Sequence, residues 1–118
     1  MAGLSRDGRG GVLVLAEIFT WVHRDAIVAA AARHRLPAIY YDRSFVEAGG
    51  LMSYGLDPAD QFRRAAFYID RILKGSSPGD LPVQNPIKFE FAISLKTAGA
   101  LGVSVPPSLL SNADLVID

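Results

Sequence analysis

Three short stretches of polar and aromatic residues carry the chemistry that this sequence offers, and each follows an apolar run. Their residues are Glu17, Phe19, Thr20 and Trp21; Asp42, Arg43 and Ser44; and Ser53, Tyr54 and Gly55. A cation beside free backbone amides can hold a carboxylate, and aromatic rings can cover an apolar ligand. A tyrosine adds an amphipathic surface. These residue types predict binding of a small molecule, not catalysis.

Each stretch also has a purely structural interpretation. Asp42 and Ser44 are typical helix-capping residues, and Arg43 is a typical member of a surface ion pair. Ser53 fits strand packing before a turn, and Trp21 fits packing in a core or against another lobe. From the residues alone, the binding and structural interpretations both stay open.

No arrangement of residues indicates a catalytic centre. His23 and His34 lie too far apart on one predicted helix to form a metal pair, and no carboxylate completes a ligand set. The glycines at 49 and 50 precede a predicted strand, whereas a dinucleotide-binding loop must follow one. The scattered Ser, His and Asp residues have no spacing that favours a triad. The sequence therefore predicts no enzyme, no cofactor and no metal site.

Composition sets further limits on the kind of protein. The chain has 118 residues, enough for one ordinary domain, with 50% hydrophobic and 20% charged residues. Twelve basic residues balance twelve acidic ones, so no net field attracts nucleic acid, and the apolar runs are too short to insert into a membrane. The absence of cysteine excludes disulfides and thiol chemistry.

The first half of the chain predicts a strand–helix–strand unit after a flexible lead-in over residues 1–11. Residues 12–16 form a continuous apolar run, typical of a strand buried on both faces of a parallel sheet. Residues 21–35 predict a helix that ends before Pro37, and residues 38–41 predict a second strand. The crossover between the two strands should be right-handed.

The second half predicts alternating helices and strands. Ser44 and Glu47 have capping-box spacing, residues 51–54 predict a strand, and Asp57-Pro58 begins a helix that Gly75 ends. Downstream, strands are predicted at 88–95, 103–105 and 115–117, a helix up to residue 101 that Gly102 stops, and a helical turn at 108–112. Residues 12–118 should therefore form a single α/β lobe with an open, mostly parallel, three-layer sheet, whose ligands bind at the carboxyl ends of strands.

Six phrases in order resemble the C-terminal part of the ABC transporter substrate-binding protein family, including its tryptophan-transport-type members. They are RHRLPAIY, FVEAGGLMSYG, FRRAAFYIDRILKG, DLPV, KFEFAISLKTAGALG and VPPSLL. The resemblance implies one lobe of a type I periplasmic binding protein, which binds a solute such as an amino acid and presents it to an ABC permease. By this resemblance and the strand-end positions, the ligand contacts should be Phe19, Tyr41, Arg43, Ser53 and Tyr54.

Members of that family carry a signal peptide and an N-terminal lobe, and we expect this sequence to represent the C-terminal part without either. The family is periplasmic, whereas the chain expressed as written should stay in the cytoplasm. A truncated receptor would expose the face that meets the missing lobe, so we expect a homodimer or higher oligomer. The alternative is a stand-alone domain that senses a small molecule or mediates assembly, in a regulatory or structural role.

Overall fold

The computed structural model describes residues 1, 3, 4 and 10–118, so most of the predicted lead-in lies outside the described residues. Helices and strands follow in the order β1 Val12–Leu13, α1 Ile18–Val22, α2 Arg24–Arg33, β2 Ala38–Tyr40, α3 Arg43–Glu47, β3 Met52–Leu56, α4 Pro58–Leu73, a 3₁₀ turn Pro78–Asp80, β4 Phe89–Ser94, α5 Leu95–Leu101, α6 Pro107–Leu110 and β5 Leu115–Ile117.

The strands of the described chain form one five-stranded sheet in the order β1-β2-β3-β4-β5. The β1–β2, β2–β3 and β4–β5 pairs are parallel, with Val12 opposite Ala38, Tyr40 opposite Ser53, and Ile93 opposite Val116. This open, mostly parallel sheet with helical connections confirms the predicted α/β fold class.

The described chain divides into two compact units. The first unit comprises Met1–Gly55 and Glu90–Asp118, and the second unit comprises Leu56–Phe89. The single lobe predicted for residues 12–118 remains a prediction.

The core of the first unit lies between one face of the sheet and the helices α2 and α3. Its buried members are Val14, Val28, Ala31, Ala38, Tyr40 and Phe45. Strand side chains alternate between the two faces, so Val14 points into this core while Leu13 remains 66% exposed. The prediction of a first strand buried on both faces is therefore wrong for these residues.

Three predicted local structures differ from those observed. The helix predicted over 21–35 is two helices that meet at His23, whose carbonyl still accepts the Ile27 N–H at 3.0 Å. Asp42 caps α3 in place of Ser44, because its backbone is extended and its carboxylate accepts the Ser44 N–H at 2.8 Å. Residues 103–105 belong to no strand. They lie between Gly102, where α5 stops, and two prolines, which lack the N–H that strand pairing needs.

The second unit is built around α4, whose start was predicted correctly. The Asp57 carboxylate accepts the N–H groups of Ala59 and Asp60, at 2.9 and 3.4 Å, and Pro58 occupies the first turn. Behind this cap, the Lys88 ammonium lies 3.0 Å from the same carboxylate. The helix ends before Gly75, whose φ of 105° lies in the region that favours glycine.

Candidate functional site

The candidate site lies in the first unit, at the carboxyl edge of β1 and β2. Because these strands are parallel, the segments that leave them reach the same edge of the sheet. There the Thr20 hydroxyl donates to the Glu17 carbonyl at 2.8 Å and lies 3.5 Å from the Tyr41 hydroxyl. The Tyr41 hydroxyl is also 3.5 Å from the Glu17 carbonyl. Residues more than twenty positions apart thus form one polar group.

A cluster of aromatic rings around Phe45 contacts this polar group through Tyr41. The Phe45 ring is fully buried and stacks on Tyr40 with ring centroids 4.9 Å apart. Tyr41 meets the same ring edge-on at 5.1 Å, and Trp21 does so at 6.5 Å. The cluster fixes the Tyr41 ring at the sheet edge. It also favours the packing interpretation of Trp21, whose ring centroid lies 5.8 Å from the Arg24 guanidinium as well.

Arg43, the predicted partner of a ligand carboxylate, already lies between two acidic side chains. Its guanidinium is 3.5 Å from the Glu47 carboxylate and 3.5 Å from that of Glu90. The Arg43 side chain is 52% exposed, so water screens both pairs and a ligand can approach the cation. An anionic ligand would have to displace or share these carboxylates.

Ser44 contributes an unpaired hydroxyl beside Arg43. Its Oγ is buried and has no hydrogen-bond partner among the described residues. A buried polar group without a partner destabilises a fold by about 1–3 kcal/mol. The sequence analysis assigned the Ser44 hydroxyl to the cap of α3. In the structure Asp42 caps α3 instead, so the Ser44 hydroxyl is left without a partner among the described residues.

The structure places the other three predicted ligand contacts at different depths. Phe19 on α1 is 61% exposed and its ring lies 4.5 Å from that of His23. Tyr54 follows Ser53 on β3 and is 55% exposed, whereas Ser53 is buried, with 1% exposed. Phe19 and Tyr54 therefore present their rings to solvent. Ser53 lies beneath the surface of the sheet edge, and its contact with a ligand stays a prediction.

An apolar cavity of about 490 Å³ opens beside this edge. Its walls include the segment from Leu13 to Glu17 after β1, Thr20 of α1 and Ile27 of α2. Ligand pockets for small molecules commonly have about 300–1,000 Å³ and few polar groups. Sequence reasoning missed this cavity, since its walls come from separate elements that only the fold brings together.

The described residues show neither a metal cluster nor a spanning helix. Within residues 1, 3–4 and 10–118, no three His, Asp or Glu side chains are grouped closely enough to hold a metal ion. In the same part of the chain, no helix has the length and apolar character needed to cross a membrane.

The profile of one protein family, described as ABC transporter substrate binding protein, matches residues 10–117. The chain belongs to the ABC transporter substrate-binding protein family. No curated protein is significantly similar to it in sequence.

Several solved structures share its fold. A conserved domain protein from Vibrio cholerae has 25% sequence identity and a TM-score of 0.85, with 98% of this chain and 38% of that chain covered. An ABC domain in complex with L-Trp, from Streptococcus pneumonia, has 26% identity and a TM-score of 0.84, with 98% and 39% covered. A substrate binding protein with adhesive properties from Clostridium difficile, in an open, ligand-free structure, has 21% identity and a TM-score of 0.63, with 90% and 36% covered, and supports the fold alone.

The chain therefore spans under two fifths of the length of these three proteins. The resemblance inferred from the six sequence phrases is confirmed at the level of family and fold. The five ligand contacts remain predictions.

Proposed function

We propose that this chain is a solute-binding component of an ABC-type transporter, and that it binds a small molecule such as an amino acid at the carboxyl edge of β1, β2 and β3. The observation that carries this proposal is the similarity of nearly the whole chain to a domain that was solved with L-Trp bound. The proposed component has no catalytic activity of its own.

The side chains at the sheet edge suit an amino acid with an apolar or aromatic side chain. The rings of Phe19, Tyr41 and Tyr54 offer apolar surface, with Tyr41 held by Phe45 and its hydroxyl close to Thr20. Arg43 would take the ligand carboxylate in competition with Glu47 and Glu90. Ser53 would contribute from below the edge.

The proposed site forms one wall of a cleft. Because the chain covers only 38–39% of two of its structural neighbours, a complete receptor of this type has further chain to supply the opposing wall. Closure over a solute needs contacts from both walls that are made only in the closed state. The partners would be the solute and an ABC permease, and the complete receptor would act in the periplasm or outside the cell.

We further propose that the isolated chain forms a homodimer or higher oligomer. Large apolar side chains are exposed in both units, among them Leu13 at 66% and Leu73 at 81%. Exposed apolar surface of this kind promotes association. The same surface favours a second candidate function, an assembly domain with a regulatory or structural role.

Thermal unfolding in the presence of candidate solutes tests the binding proposal. A ligand that binds only the folded state raises Tm with its concentration. We expect L-Trp or another apolar amino acid to raise Tm, and the Arg43→Gln variant to lose most of that shift, while a matched Arg33→Gln variant on α2 keeps it. If millimolar amino acids leave Tm unchanged, the isolated chain does not bind them.

A second measurement separates the two candidate functions. If every amino acid, purine and small carboxylate leaves Tm unchanged while the chain still self-associates, the assembly function is favoured. Equal shifts in the wild type and the Arg43→Gln variant would remove Arg43 from the site without removing the binding function.

A further inference from the structure

Glu90 lies at the sheet edge that carries the candidate site, although it stands near the start of a strand. The Ser94 N–H donates to the Leu51 carbonyl at 2.8 Å, and the Asp57 N–H donates to the Lys88 carbonyl at 3.1 Å. Residue numbers thus rise along β3 as they fall along β4, so these two strands run antiparallel. The first residues of β4, Glu90 among them, therefore reach the edge at which the parallel strands β2 and β3 end.

Glu90 differs from the other acidic partner of Arg43 in its position and burial. Glu47 lies one helical turn from Arg43 on α3, and its side chain is 52% exposed. Glu90 comes from a separate strand, and its side chain is only 22% exposed. Water screens a partly buried charge less than an exposed one. Of the two carboxylates, that of Glu90 should therefore contribute more to the recognition of a charged ligand.

The Arg43–Glu90 contact is long for an ion pair. The guanidinium and the carboxylate are 3.5 Å apart, whereas the Arg64 and Asp60 side chains of α4 are hydrogen-bonded at 2.8 Å. Charge-assisted hydrogen bonds between nitrogen and oxygen are usually about 2.7–2.9 Å long. Because the Arg43 side chain is also 52% exposed, a ligand can reach the cation from solvent and shorten its contacts.

The pair discriminates between ligands by the charges that they carry. A ligand with a carboxylate alone would pair with Arg43 and leave the partly buried Glu90 carboxylate without its cation, which is unfavourable. A ligand with an ammonium group alone would pair with Glu90 and leave Arg43 with the more exposed Glu47. A zwitterion supplies both charges, so one ion pair becomes two and neither side chain loses a partner.

We propose that Arg43 and Glu90 together bind the charged head of an α-amino acid, with the guanidinium on its carboxylate and the Glu90 carboxylate on its ammonium group. The inference rests on the proposed solute-binding function and names the ligand class of the same site. Both charged groups of an α-amino acid are attached to one carbon atom, so they can reach two side chains that lie 3.5 Å apart. Glu90 thereby determines specificity for amino acids over simple carboxylates.

Two matched sets of ligands test the role of the two charges. L-Trp is compared with tryptamine, which lacks the carboxylate, and with indolepropionate, which lacks the ammonium group. L-leucine is compared in the same way with isoamylamine and isocaproate. Calorimetric titration of the full chain gives the Kd of each ligand. In at least one set, the amino acid should bind about tenfold or more tightly than either analogue.

Variants that remove one charge identify the residue responsible. Glu90→Gln keeps the size of the side chain, and it should weaken binding of the amino acid about tenfold or more without weakening that of the acid analogue. Glu47→Gln is the matched control, since it removes the other carboxylate beside Arg43 and should change both affinities by a similar factor. Glu90→Asp keeps the charge and should retain more of the preference than Glu90→Gln. Thermal unfolding without ligand shows whether each variant is folded.

The outcomes separate this inference from the proposed function. If an analogue binds as tightly as its amino acid, or if Glu90→Gln weakens the amino acid and the acid analogue equally, the zwitterion assignment is wrong and solute binding stands. A purine that raises Tm where no amino acid does would have the same consequence. If none of these solutes binds, the proposed function fails for this chain, and this inference fails with it.

Discussion

The backbone of Gly55 lies directly against the carbonyl of Tyr41. A Cβ atom built at Gly55 would fall 1.7 Å from the Tyr41 oxygen and 2.8 Å from its carbonyl carbon. Both neighbours are backbone atoms, which cannot rotate away as a side chain would. The close approach therefore needs glycine at residue 55 and holds Tyr41 in place at the sheet edge.

Replacement of Gly55 by alanine should thus disturb both stability and the candidate site. We expect Gly55→Ala to lower the free energy of unfolding by about 1–3 kcal/mol, as overpacking does, and to reduce any solute-induced rise in Tm. Denaturant unfolding gives the first quantity. Gly99→Ala is the control, because no atom outside the neighbouring backbone of its own helix lies within 4 Å of a Cβ at that position, and it should be neutral or stabilising. Equal stability of the two variants would contradict the proposed close approach.

Two serines with opposite hydrogen-bonding states allow a matched comparison. Ser94 caps α5, where its Oγ accepts the Thr97 N–H at 3.1 Å, so Ser94→Ala should cost about 1 kcal/mol. Ser44 Oγ is buried without a described partner, so Ser44→Ala should leave stability unchanged or raise it. Chemical unfolding of both variants checks this difference. If Ser44→Ala loses as much stability as Ser94→Ala, the Ser44 hydroxyl has a partner in solution.

Asp57 should make the second unit sensitive to acid. The hydrogen bond from Lys88, together with the backbone N–H groups of Asp60 and Ala59, lowers the pKa of Asp57 below its ordinary value of 3.8, against the opposing effect of burial. The folded state therefore favours the carboxylate. Its stabilising effect is fully present above pH 3.8 and is lost as the pH falls through the lower folded-state pKa.

The acid sensitivity can be measured by urea unfolding of the wild type and Asp57→Asn from about pH 6 down to about pH 2. The free energy of unfolding of the wild type should exceed that of Asp57→Asn at the higher pH, and this difference should shrink as the pH falls. Asp70→Asn is a control, since its carboxylate pairs with Lys74 at a side chain that is 55% exposed. A constant difference between wild type and Asp57→Asn would contradict the assignment.

Ionisation of Tyr40 should lower the stability of the folded state at alkaline pH. Its side chain is only 1% exposed, and burial raises the pKa of Tyr40 above 10.0. The unfolded chain ionises first, so stability should fall as the pH rises above 10.0 towards the folded-state pKa. In thermal unfolding, the fall in Tm at alkaline pH should be smaller for Tyr40→Phe than for the wild type. Tyr54→Phe should show the same fall as the wild type, because Tyr54 is 55% exposed. Identical alkaline profiles for wild type and Tyr40→Phe would contradict the prediction.

The sequence predicted those helix ends that depend on contacts between residues close together in the chain. Asp57 caps its helix as predicted, and Gly102 stops α5, also as predicted, with a φ of 70°. Capping needs only a side chain that can reach an amide two or three residues along. The cap of α3 was missed because two residues with the same capacity, Asp42 and Ser44, stand two positions apart, and their backbone conformations decided between them.

By itself, the sequence determined the α/β class and the order of most helices and strands, because hydrophobic periodicity and capping chemistry are local properties. The family came from a different source, the resemblance of six phrases taken in order. The tertiary structure alone decided the Thr20–Tyr41 contact, the Arg43–Glu90 ion pair, and the burial of β1 on one face only. These features join residues distant in the chain, and strand register and helix docking set their distances. No spacing within the sequence encodes them directly.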